Sequence, residues 1–203
     1  MKHPSLATAP AAAMSLVFLF AAPAWASGLG QAVLDEINFA RTRPAEYAQD
    51  LRAQAMDGRE GGGSTFAYED PDALYEAIDF LERQRPLPPL RRDSRLTAAA
   101  LAHAAAQGPR GQVGHGGPGR SSLGQRLQRN GVWAGMSAEN ISYGYETPRE
   151  VVRQLVVDSG VPGRGHRRNI FGAGFQAAGA ACARHSVYGA MCVIDFAGGL
   201  VQR

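Results

Sequence analysis

The sequence predicts an α+β domain with antiparallel strand pairing, on three observations. Apolar residues recur at helical spacing from Gly30 to Val157, capping residues and prolines punctuate those segments, and from Phe175 onward the chain turns to small, β-branched and aromatic types. Helices first and paired strands last define the α+β class. No internal repeat and no shift in composition marks a second domain.

Val33, Ile37 and Ala40, then Tyr47, Ala48 and Leu51, trace two helical stripes between Gly30 and Ala55, and Pro44 opens the second as a first-turn residue. The stretch 56–68 is glycine-rich, lacks periodicity and reads as a loop. Asp70-Pro71 supplies an N-cap and a first-turn proline to a helix striped by Leu74, Ile78 and Leu81, which Pro86, Pro88 and Pro89 end. Asp93-Ser94 opens the next helix, through Leu96, Ala100 and His103 to a stop at Gly108-Pro109. A glycine-rich turn, 114–119, carries His115; a short helix around Leu123 and Leu127 ends at Asn130-Gly131, and an irregular stretch leads to Ala138-Glu139-Asn140-Ile141. Thr147-Pro148-Arg149-Glu150 is a capping box, and its helix turns Val151, Val152, Leu155 and Val156 inward before delivering Asp158. Residues 175–182 and 188–196 read as the arms of a β-hairpin joined by a polar turn.

Lys2, the apolar run 11–22 and the small-residue site Ala24-Trp25-Ala26 have the layout of a secretory signal peptide, 1–26, with cleavage before Ser27. The run falls short of the roughly 20 apolar residues that span a bilayer. A single domain, 27–203, secreted or periplasmic and without a transmembrane segment, is the expectation. Its basic residues are all arginine, interleaved with acidic ones, so no basic stripe suits a nucleic acid. A chain without lysine after the leader also excludes Schiff-base chemistry and a Walker-type phosphate loop. Cys182 and Cys192 lie on opposite arms of the hairpin, and in an oxidising compartment a disulfide is the first expectation. Two buried thiols or half of a metal site are the alternatives, although the spacing is not that of a zinc knuckle.

Four histidines follow the leader. His103 shares a helical face with Leu96 and Ala100 and reads as a core residue; His185 sits in the hairpin turn and reads as solvated. His115 and His166 occupy glycine-rich loops, where the backbone can bend sharply or approach a ligand. With Glu139 and Asp158 they offer two imidazoles and two carboxylates, the types used by a divalent-metal site or a general acid/base pair. Their separations match no local metal motif.

Gly114-His115, Ala138-Glu139-Asn140-Ile141 and Gly165-His166-Arg167-Arg168-Asn169-Ile170, in this order, resemble the signatures of the CAP superfamily (cysteine-rich secretory, antigen 5, pathogenesis-related 1) in its bacterial, SCP-like form. The resemblance extends from Leu34-Asp35-Glu36-Ile37-Asn38-Phe39-Ala40-Arg41 to the closing Cys192-Val193-Ile194-Asp195-Phe196. It implies a three-layer α-β-α sandwich with a small antiparallel sheet, and a cleft lined by His115, Glu139, Asp158 and His166. Asp158 follows Leu155 at the interval that separates a tryptophan and a glutamate in many eukaryotic members. Ala138 stands where glycine often precedes the glutamate.

The leading functional expectation is an exported binding module that holds a divalent metal, zinc first, through His115 and His166, or a small apolar or lipid ligand of the envelope. The rival is a metal-dependent hydrolase of envelope or secreted peptides, in which the metal acidifies a water and Glu139 is the general base. A third reading sets the arginine-rich loop 164–168 against acidic surfaces, weighed against a merely solvated loop. Ser159 lacks a nucleophile-elbow sequence, and oxidised cysteines cannot act as nucleophiles.

Overall fold

Helix α1 (Ala24–Thr42) is followed after a single residue by α2 (Pro44–Glu60), in a computed structural model that describes residues 24–60 and 69–200. Side chains are described from residue 28 to 56 and from 69 to 200. The expected leader lies outside these residues, except that the backbone of 24–26 already belongs to α1. Pro44 has no N–H to satisfy and a φ suited to a first turn, so α2 can start at once. α2 overruns the expected loop at 56–68, since Ala53, Gln54, Ala55 and Met56 are strong helix formers that extend it to Glu60 after its apolar stripe ends.

The next elements follow their caps. Asp70 accepts from Asp72 N at 3.0 Å to start α3 (Pro71–Arg83), and Asp93 accepts from Arg95 N and Leu96 N to start α4 (Ser94–Gln107). α4 runs into a short 3-10 turn, Gly108–Arg110. Capping boxes at Ser122 and Thr147 begin α5 (Leu123–Arg129) and α6 (Pro148–Val157). Residues 165–170, expected as part of a loop, form a further short helix, α7 (Gly165–Ile170).

Among the described residues four strands form one mixed sheet in the order β1-β3-β4-β2: β1 (Arg91–Arg92), β2 (Ser137–Tyr143), β3 (Ala177–His185) and β4 (Gly189–Ala197). β3 and β4 are the expected hairpin. β2 pairs antiparallel with β4 from Ser137↔Ala197 to Tyr143↔Met191, while β1 adds a two-residue parallel pairing to β3. The motif Ala138-Glu139-Asn140-Ile141, expected to follow an irregular stretch, therefore lies on an edge strand.

Alternation along the hairpin divides the core into two layers. Ala178, Ala180, Cys182, Cys192, Ile194 and Phe196 cluster with residues of α1, α2, α3 and α6. Ala177 and Ala197 cluster with Leu96, Ala99 and Leu127, and Ala181, Met191 and Val193 with Ala100, Ala104 and Ile141, which puts α4 and α5 on the other face. This is the three-layer α-β-α arrangement. The layers approach closely at glycines: a Cβ on Gly179 would stand 2.1 Å from Thr97 N, and one on Gly30 would stand 2.6 Å from Ala180 O. Cys182 and Cys192 face each other directly, their Cα atoms 4.0 Å apart, and are joined by a disulfide.

Candidate functional site

β2 is the pivot of the site, because its side chains alternate between the two layers. Glu139 lies opposite Asp195 of β4, on the α4/α5 side with Ile141. Asn140, next in the chain, serves the other side: its Nδ2 donates to His166 O at 3.0 Å, and its Oδ1 accepts from Asn169 Nδ2 at 2.8 Å.

His115 lies in the loop between α4 and α5, its side chain 58% exposed, and its Nδ1 is 2.9 Å from Glu139 Oε1. A carboxylate can only accept there, so Nδ1 carries a proton, and in the neutral ring Nε2 holds the lone pair. Glu139 Oε2 accepts from Arg126 of α5. The same guanidinium donates to His115 O at 2.6 Å, so Arg126 grips both the histidine's backbone and its carboxylate partner. Burial pushes the Glu139 carboxyl upward, but the hydrogen bonds from His115 and Arg126 outweigh it and hold the group below the usual carboxylate range.

The loop is irregular around His115, yet buried and half-buried side chains hold its backbone. His103 Nε2 donates to Gly114 O at 3.1 Å, Gln107 Nε2 donates to Gly116 O at 2.8 Å, and Tyr143 Oη accepts from Gly114 N at 2.9 Å. His103 is wholly buried, as its place on the α4 stripe predicts, and burial lowers its pKa. Its structural role is to anchor this loop.

The second pair forms where α6 meets α7. Asp158 closes α6 in the left-handed region, at φ 55°, and is fully buried. Its Oδ1 lies 2.6 Å from His166 Nδ1 and its Oδ2 accepts from His166 N at 2.8 Å, so one carboxylate fixes both the ring and the helix start. His166 therefore sits in the first turn of α7 and not in a loop. Here too Nδ1 carries a proton, and in the neutral ring Nε2 holds the lone pair.

The four expected residues thus form two histidine–carboxylate pairs. Among the described residues no hydrogen bond joins one pair to the other, and no group of three or more His, Cys, Asp or Glu is placed to hold a metal ion. Two other expectations are corrected. His185 is buried, with Nε2 donating to Gln112 O at 3.0 Å and its ring against Tyr143 and Tyr188, because the hairpin turn folds back onto the His115 loop. The arginine-rich segment is internal in part: Arg167 is buried and donates to Val156 O and Val157 O at the end of α6, and both Arg164 and Arg167 pair with Glu76. Those two arginines are occupied within the domain. Sequence reading missed Arg126 and Asp195, whose signals were weak: an arginine on a short helix, and one acidic residue inside the apolar run Val193-Ile194-Asp195-Phe196.

Residues 34–196 match the sequence profile of the CAP family, the cysteine-rich secretory protein family. The chain belongs to the CAP family. Its CAP domain is similar in fold to an extracellular protein containing an SCP domain from Bacillus anthracis, with 22% identity and a TM-score of 0.48 over 56% of this chain and 35% of that one. An outer surface protein of Borrelia burgdorferi matches at 17% identity and a TM-score of 0.46, over 55% of this chain and 79% of that one. A cysteine-rich secretory protein of Staphylococcus aureus matches at 14% identity and a TM-score of 0.42, over 64% and 40%. The CAP chain therefore spans well under half the length of the Bacillus and Staphylococcus chains. No curated protein matches it. No helix among the described residues is long and apolar enough to cross a membrane.

Proposed function

We propose that this CAP domain is an exported binding module that holds a divalent cation, zinc first, through Nε2 of His115 and His166. One observation carries the reading: each ring has its Nδ1 tied to a buried carboxylate, Glu139 or Asp158, which fixes the tautomer and leaves Nε2 as the donor atom. Metal-ligating histidines are oriented in this way by outer carboxylates. The donor types suit such a cation, with the two carboxylates as orienting groups and the imidazoles as ligands. A zinc ion held there would supply a Lewis-acidic centre. Export is supported by the leader pattern and by the disulfide, which persists in oxidising compartments.

The same geometry weighs against Glu139 as a general base, since its carboxylate is buried and both oxygens already accept hydrogen bonds. For an apolar or lipid ligand, the open groove of about 850 Å³ beside α1 and α2 gives little support, because Asp35, Glu36, Glu46 and Asp50 line it. The test is calorimetric titration of the chelator-treated mature protein with zinc at neutral pH. His115→Ala and His166→Ala should each abolish binding with the circular-dichroism spectrum unchanged. Undiminished binding by either variant overturns the reading.

A further inference from the structure

Asp195 lies directly across the β2–β4 pairing from Glu139 and is completely buried. Its neighbour on the other side is Gly179 of β3, which has no side chain to offer and is covered by Leu96 and Thr97 of α4. Neither Asp195 oxygen has a donor among the described residues. The carboxylate directly opposite is that of Glu139, and two ionised carboxylates have no hydrogen between them. Glu139 in turn spends Oε1 on His115 and Oε2 on Arg126. With both acids ionised, two buried negative charges would face the single cation Arg126, a costly arrangement at this depth.

We propose that Asp195 is a positioning residue of the site, held as the neutral acid, whose carboxyl O–H donates to Glu139 so that the pair shares one proton behind His115. The cluster then balances: Arg126 carries one positive charge and the dyad one negative charge. The charged and titratable groups around Asp195 are Glu139 from β2 and Arg126 from α5, with His103 of α4 and His115 beyond Glu139; β3 contributes none at Gly179. Burial is the largest influence raising the Asp195 pKa, followed by the charge and hydrogen bond of Glu139, and Arg126 opposes them only in part. With this donor in place the Glu139 carboxylate has partners on every side, which holds the His115 ring in the orientation that the proposed cation site requires.

The role in orienting a ligand rests on the metal-binding reading above, whereas the protonation state does not, and the experiment separates them. Carboxyl-¹³C NMR of the wild-type, metal-free protein at pH 7, assigned through the backbone, should place the Asp195 carbon at the protonated position and the Glu139 carbon at the ionised one. An ionised Asp195 overturns the proposal, and no variant need fold for this test. In zinc titrations Asp195→Asn, which keeps a donor toward Glu139, should stay within about threefold of wild type, and Asp195→Leu should lose roughly 10- to 100-fold, the range for outer-shell partners. Equal affinities of the two variants would remove the positioning role. Absence of zinc binding in the wild type would sink the metal reading and leave the dyad to the NMR result.

Discussion

Arg126 shows how much of this site depends on one side chain. It is buried, it compensates the charge of Glu139, and it holds the His115 carbonyl at 2.6 Å. Arg126→Ala leaves a buried carboxylate without its cation, and a loss of about 3–5 kcal/mol in urea unfolding is expected. Asp158 is similar on the other side of β2. As a non-glycine residue at φ 55° it accepts some backbone strain, which its two hydrogen bonds to His166 offset. Asp158→Asn keeps the tolerance for that conformation and one acceptor, so it should unfold at a higher urea concentration than Asp158→Ala, which keeps neither.

Helix starts were legible in the sequence because a cap is a local event: Asp70, Asp93 and Thr147 each bond to an amide two or three residues on. β2 was not, because Ala138, Glu139 and Asn140 carry no strand preference of their own and become a strand by pairing with β4. The site divides the same way. His115, Glu139 and His166 could be named from motifs, whereas Arg126 and Asp195 gain their roles only through contacts made by folding. The hairpin sits between these cases, since its cysteines were placed by the expected turn and the register puts them directly opposite each other. Replacing both cysteines by alanine should lower stability by about 2–3 kcal/mol, the entropy expected of a short closed loop. Gly179→Ala should cost about 1–3 kcal/mol as an overpacking change, because α4 backbone stands where the new methyl would go. Denaturant midpoints check both.

For the molecule as a whole, acid stability follows from groups buried on the α4/α5 side. His103 has a lowered folded pKa, so stability should fall as pH drops from the ordinary histidine value of about 6.5 through that folded value. Glu139, also lowered, adds a second loss below about pH 4.3 as its folded pKa is reached. Asp195 has the opposite sign: its contribution is full below about pH 3.9 and is lost as pH rises through its raised folded pKa. Urea midpoints measured against pH should show His103→Gln flattening the first acid slope and Asp195→Asn removing the loss on the alkaline side. The loop around His115 has a temporal consequence as well. Its Gly114 amide belongs to no helix or strand, yet it donates to the Tyr143 hydroxyl, and the neighbouring carbonyls are held by His103, Arg126 and Gln107. Hydrogen–deuterium exchange at Gly114 should therefore be as slow as in the β3–β4 hairpin, so that a segment irregular in shape opens only when the sheet beneath it does.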